Sequence, residues 1–159
     1  MLKDAIISDC DRYRYRLTRS WGEGSRCVFI MLNPSTADGE QDDNTIRRCI
    51  SFAKREGSGS LVVVNLMAFR STDPDLLPAG DEAFGPENAL HLQREIAACD
   101  GPIIAAWGSH KAADRYVPVV REILAGSGRE IRCLKLSTRG RPYHPLYVKG
   151  DSPLLPFIF

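Results

Sequence analysis

The chain has 159 residues, 43% of them hydrophobic and 26% charged, with Lys+Arg 21 against Asp+Glu 20 and a formal net charge of +1. That length fits one domain, residues 1–159, on a prior of roughly 100–200 residues per domain, and the near-neutral sum excludes a chain that holds nucleic acid by bulk charge alone. No apolar run approaches the ~18–20 residues of a membrane helix, so no membrane partner is expected.

The opening Met1-Leu2-Lys3-Asp4 leads into acidic residues rather than a signal-type apolar stretch, so a cytoplasmic location is expected. Cys10, Cys27, Cys49, Cys99 and Cys133 are odd in number and contain no Cys-x-x-Cys pair. The expectation is small buried thiols, with neither a disulfide framework nor a metal site, and no cofactor.

Taken in order, Arg12 to Trp21 alternates, with Arg12, Arg14 and Arg16 on one side and Tyr13, Tyr15 and Leu17 on the other. Period two predicts a strand with one wet face. Gly22-Glu23-Gly24-Ser25 is turn chemistry, and Cys27 to Leu32 is a solid apolar run that predicts a strand covered on both sides. These two strands are expected to form a hairpin. Asp43 is placed to cap a helix from about Asn44 to Lys54, which Gly57 and Gly59 end. Leu61 to Val64 predicts a second buried strand, Glu87 to Cys99 a helix, and Ile103 to Trp107 a third strand. A helix from Ser109 to about Ala125 carries Pro118, which predicts a kink or break. Ile131 to Leu136 alternates as a fourth strand, and the apolar Pro153–Phe159 tail is expected to fold back on the core.

Buried strands alternating with helices define an α/β class: three layers, α/β/α, a mostly parallel central sheet, and an N-terminal antiparallel hairpin strand. In such sheets ligands bind beyond the carboxyl ends of the strands. Four such ends lead into polar residues: Asn33-Pro34-Ser35-Thr36-Ala37-Asp38, Asn65, Trp107-Gly108-Ser109-His110, and Ser137-Thr138 with His144-Pro145 further on. Their convergence on one rim is the main functional expectation.

Asn33 precedes a proline, which biases its backbone to an extended form and fixes its amide in one direction. It is a candidate to orient water or read a ligand edge, with the hydroxyls of Ser35 and Thr36 beside it. Asn65 puts an amide at the end of three valines, where it needs a partner. His144 sits between Pro142 and Pro145 and is the best site candidate of the three histidines; His91 is expected on a helix surface, and His110 near the site. Asp38 and Asp42 are candidate bases, with Asp43 assigned to the cap. Arg47, Arg70 and Arg141 are candidates for a phosphate-holding rim. No dinucleotide-binding glycine fingerprint, Walker loop, nucleophile elbow or His-Glu-x-x-His is present, which disfavours dehydrogenases, P-loop enzymes, α/β-hydrolases and zinc proteases.

The ordered segments Met31–Asp38, Asp43–Arg48, Val64–Leu66, Ala106–Gly108 and His144–Tyr147 resemble the domain of unknown function 1643 family. More distantly, Asn-Pro after the first core strand, Asn after the next, Trp-Gly after a third and a closing His-Pro resemble the uracil-DNA glycosylase superfamily. That resemblance implies hydrolysis of an N-glycosidic bond in DNA or a nucleotide. It casts Asn33 as the water-positioning residue, Asn65 as the base-reading amide and His144 as the group that steadies the departing base. Where that superfamily has glycines around the Asn-Pro core, this chain has Met31-Leu32 and Ser35, and its closing motif reads His-Pro-Leu-Tyr. The alternative expectation is a non-catalytic module that binds a nucleotide or modified base in the same pocket.

Overall fold

The two most apolar runs lie side by side at the centre of one sheet, because only there are both faces of a strand covered. The computed structural model describes residues 1–159. Seven strands, β1 (Leu2–Ile7), β2 (Arg14–Ser20), β3 (Arg26–Met31), β4 (Ser60–Asn65), β5 (Ile103–Ala105), β6 (Arg132–Cys133) and β7 (Leu155–Pro156), are ordered β1-β2-β4-β3-β5-β6-β7. Strands β4, β3, β5 and β6 are mutually parallel, and β1 points the same way because it is antiparallel to β2, itself antiparallel to β4. Only β2 and the closing β7 run against the rest.

Side chains along β3 and β4 alternate between two cores. Cys27, Phe29, Met31, Leu61 and Val63 meet Ile46, Cys49, Ile50, Phe52 and Ala53 of helix α1 (Asn44–Arg55). Val28, Ile30, Val62 and Val64 meet the opposite layer. That layer is built from Leu92 and Ile96 of α3 (Asn88–Ala98) and Val120 and Leu124 of α4 (Val117–Ser127), with the one-turn α2 (Asp81–Phe84) beside them. No helix is long and apolar enough to cross a membrane.

Helix α1 starts as expected: the Asp43 side chain accepts the Ile46 N–H at 2.9 Å. The predicted helix from Ser109 divides at Pro118. A 3-10 turn over Lys111–Arg115 comes first, capped by His110 rather than Ser109, and α4 then begins with the proline in its first turn. The proline's missing N–H is harmless there. The fourth predicted strand shortens to β6, and the tail returns as expected, with Phe157 buried and its N–H on the Ile131 carbonyl.

Four expectations are corrected. The predicted hairpin between Arg12–Trp21 and Cys27–Leu32 does not form: both edges of β3 are taken by β4 and β5, and β2 lies outside β4. The turn between β2 and β3 instead crosses the start of β4. A Cβ at Gly59 would lie 2.5 Å from backbone atoms of Gly22 and Glu23, so only glycine admits the crossing. The true N-terminal hairpin is β1–β2, and β1 was not predicted. His91 is buried, stacked on Tyr15 at 4.9 Å, not on the surface. Four thiols are buried, but Cys10 is exposed.

The fourth correction concerns the arginines. Ile6 pairs with Arg16 and Ile7 with Arg14, which leaves Tyr15 as the extra residue of a β-bulge. A bulge breaks the two-residue alternation and re-aims what precedes it. Arg16 therefore reaches Glu95 of α3 at 2.9 Å, whereas Arg14 turns to the α1 side and donates to the Ala37 carbonyl at 2.8 Å. There is no common wet arginine face, and Arg14 is 2% exposed. Arg19, on the same strand, is fully buried. It donates to Asp42 at 2.7 Å and to the carbonyls of Asp4, Thr18, Asp38 and Gln41, fastening the hairpin to the loop before α1.

Candidate functional site

A cleft of about 360 Å³ opens beyond the carboxyl ends of β3, β4 and β5, walled by the loop around His144. Asn33, Ser35, Asn65, Trp107, Gly108 and His144 all line it, so the distant segments singled out in the sequence do meet. Larger hollows lie beside Arg129 and Arg132, but no unpaired buried side-chain atom belongs to their lining.

Asn65 ends β4 and is 1% exposed. Its backbone carbonyl is held by Asn88 Nδ2 at 2.9 Å, which fixes the strand end. Its side-chain Nδ2 and Oδ1 are buried with no partner at all. Each unmet buried group costs about 1–3 kcal/mol. A fully unpaired amide on a cleft is therefore an edge awaiting complementary donors and acceptors.

Asn33 is engaged differently. Its Nδ2 donates to the Ser71 carbonyl at 2.9 Å, and to those of Pro34 at 3.1 Å and Phe69 at 3.5 Å. The Ser71 N–H returns to the Pro34 carbonyl at 2.9 Å. The amide nitrogen thus ties the loop after β3 to the loop after β4, and Oδ1 is left without a protein donor.

His144 takes its tautomer from a turn. Its Nδ1 accepts the Leu146 N–H at 3.2 Å, so the neutral ring carries its proton on Nε2. Burial lowers its pKa below the usual histidine value, against the pull of Asp43, and keeps the ring neutral near pH 7. Gly108 supports this loop: its φ is 77°, its N–H bonds the Pro142 carbonyl, and its position faces His144. Trp107 is held from behind, edge-on to Phe157 at 5.4 Å and stacked on Phe159 at 6.4 Å.

The structure separates other candidates from the cleft. Asp38 lies outside its lining. Its carboxylate accepts the N–H groups of Gln41 at 2.7 Å and Glu40 at 2.8 Å, which hold its pKa below the usual range and occupy it in a turn. Thr36 is exposed and does not line the cleft either. Arg47 donates to Asn44, and Arg70 pairs with Asp11 at 2.8 Å; neither lines the cleft. Arg141 pairs with Asp114 at 3.0 Å and borders an adjoining hollow of about 280 Å³ that shares Gly108, Ser109, His144 and Tyr147. His110 lines the cleft with both nitrogens engaged, by Ala112 N–H and by Asp75 at 2.7 Å.

Two charged lining residues were missed. Asp43, assigned only to the cap, also lines the cleft; one oxygen accepts the Ile46 N–H and the other has no partner in the protein. Arg14 lines the wall as well, and burial pulls its pKa down to about 10. The Asp-Asn-Thr cap signal hid the first, and the regular alternation of β2 hid the second.

Strand order and cleft together define an α/β protein with its candidate site on the carboxyl edge of the sheet. The sequence model of a family described as protein of unknown function (DUF1643) matches residues 14–146, and the chain belongs to that family. No curated protein and no solved structure matches the chain.

Proposed function

We propose that the cleft seats a nucleobase and that the chain hydrolyses its N-glycosidic bond, in DNA or in a nucleotide. The observation that carries this reading is the buried Asn65 amide with both polar atoms unpartnered, on the same cleft as the Nε2–H of His144. A carboxamide matches a lactam edge: Nδ2 donates to the base carbonyl and Oδ1 accepts from the neighbouring ring N–H. A site built to pair both atoms rejects bases that leave either unmet.

In the proposed reaction the bond from C1′ to the base nitrogen breaks and its electron pair leaves with the base. Negative charge grows on the base oxygen, where the neutral His144 Nε2–H donates without reorganising. A water held by Asn33 Oδ1 bonds to C1′; its proton passes to the free oxygen of Asp43 and from there to solvent or the departing base. Asp43 takes the place of Asp38 as the acid–base candidate because it is the carboxylate on the cleft. A base inside a duplex must first be flipped out, at a cost of a few kcal/mol. Leu146 and Tyr147, 44% and 77% exposed at the rim, are placed to fill the gap. The ordered Asn-Pro, Asn, Trp-Gly and His-Pro motifs support the same chemistry by resemblance to the uracil-DNA glycosylase superfamily.

Oligonucleotides and deoxynucleotides carrying uracil and other altered bases test the proposal, with abasic-site formation or free base as readout. Base release in the wild type is expected to fall by on the order of 10²–10³ in His144→Ala, and to lose base preference in Asn65→Ala. A second reading, a module that binds the base uncleaved, is favoured by the three carbonyl contacts of Asn33, which tie two loops whether or not chemistry follows. Saturable binding without release across the panel selects it.

A further inference from the structure

Arg14 is a cation closed off from solvent without the company a buried cation needs. It is 2% exposed, and one donor, Nη1, reaches a neutral carbonyl. Nε is buried without an acceptor, Nη2 has none in the protein, and no carboxylate forms a salt bridge with it. Asp43 faces the same cleft and favours the charge from a distance, while Arg19 and Arg70 add like charge. An unpaired buried charge is strongly unfavourable, and proteins usually satisfy it with a carboxylate or a bound ion. Here the sequence spent a β-bulge on bringing this side chain to the cleft wall.

We infer that Arg14 is the oxyanion-binding group of the cleft: the molecule that seats on Asn65 brings a negatively charged oxygen to the free Nε and Nη2 of Arg14. The assignment rests on the nucleobase reading above and sharpens its substrate class. Two sources share this chemistry. The charge lies on the ring, as in an acidic base or one that leaves as an anion, or it lies on a phosphate of the same nucleotide. Either way the planar guanidinium fork offers two parallel N–H donors, which suits carboxylate-like and phosphate oxygens better than a point charge.

Two matched pairs of probes separate the sources. Barbiturate and uracil share a lactam edge but differ in ring charge near neutral pH; dUMP and deoxyuridine differ only in the phosphate. Calorimetric titration of the wild type should show the charged member of one pair binding tighter by about tenfold or more. Arg14→Met should reduce that preference to within about threefold, and Arg14→Lys should keep part of it. A ligand-free readout runs alongside: Arg14→Met should unfold at or above the wild-type temperature, since it removes an unpaired buried charge. The inference is overturned if neither pair is discriminated, if Arg14→Met discriminates as the wild type does, or if that variant loses as much stability as Arg19→Met. Base release with no charge preference sinks the Arg14 assignment alone. A charged probe bound through Arg14 with no base released from any substrate sinks the hydrolytic reading alone.

Discussion

Arg14 and Arg19 lie on one strand, are equally hidden from water, and point to the same side of the sheet, yet their surroundings are opposite. Arg19 has a carboxylate at 2.7 Å and four backbone carbonyls, so its charge is neutralised and its donors are met. Arg14 has one carbonyl and no salt bridge. The first closes the seam between the β1–β2 hairpin and the loop before α1; the second sits where that seam opens into the cleft. Burial alone therefore does not tell a structural charge from a functional one. The state of their hydrogen bonds is what separates the two, and it makes Arg14 rather than Arg19 the candidate for a role beyond stability.

Substitutions can break this contrast, and the largest effect is expected at the paired residue. Arg19→Met leaves the half-buried Asp42 with Lys3 as its one remaining cation and strips four backbone carbonyls of their donor, and should lower unfolding free energy by about 3–5 kcal/mol in urea titrations. A loss no greater than that of Arg14→Met would erase the distinction. Next comes Asn65→Leu, which replaces the unpaired amide by an apolar side chain of similar shape. It should raise stability by about 1–3 kcal/mol while abolishing base binding. A drop in stability would mean that the amide is satisfied in the free protein. The smallest effect is in acid. Burial works to raise the Asp42 pKa, but its bonds to Arg19 and Lys3 prevail and hold it below the usual value. A depressed carboxyl stabilises the fold above its unfolded pKa of about 3.9, and that contribution is lost as pH falls through the lower folded value. Thermal unfolding followed downward from pH 5 should thus decline more steeply in the wild type than in Arg19→Met.

Much of this molecule was legible in its sequence, for reasons that also explain what was not. Cys27 to Leu32 and Leu61 to Val64 announced central strands because no wet face interrupts them. The strand-end rule then brought Asn33, Asn65, Trp107 and His144 to one rim without any knowledge of pairing. Strand β1 escaped because Leu2–Ile7 is a half-exposed edge with mixed polarity. The hairpin was misassigned because Gly22–Ser25 reads as a tight turn, whereas the partner of β2 is chosen by which apolar strand most needs cover. Arg14 was read as solvent-facing because alternation presumes an unbroken ladder. The bulge at Tyr15 belongs to the pairing with β1 and leaves no trace in the local pattern. Asp38 drew attention as an acid near the Asn-Pro turn, but its neighbours' free N–H groups claim it first.

The aromatic buttress behind Trp107 links the cleft to the far edge of the sheet. Phe157 and Phe159 follow β7 directly and brace the indole on the side away from the cleft. Strand β7 is only a two-residue ladder against β6, so this brace hangs on one of the weakest seams in the molecule. Whatever peels that short ribbon loose slackens the binding wall from the rear, without touching a single residue that a substrate would meet. In a Trp21→Phe background the remaining indole becomes an optical gauge of whether the brace is engaged.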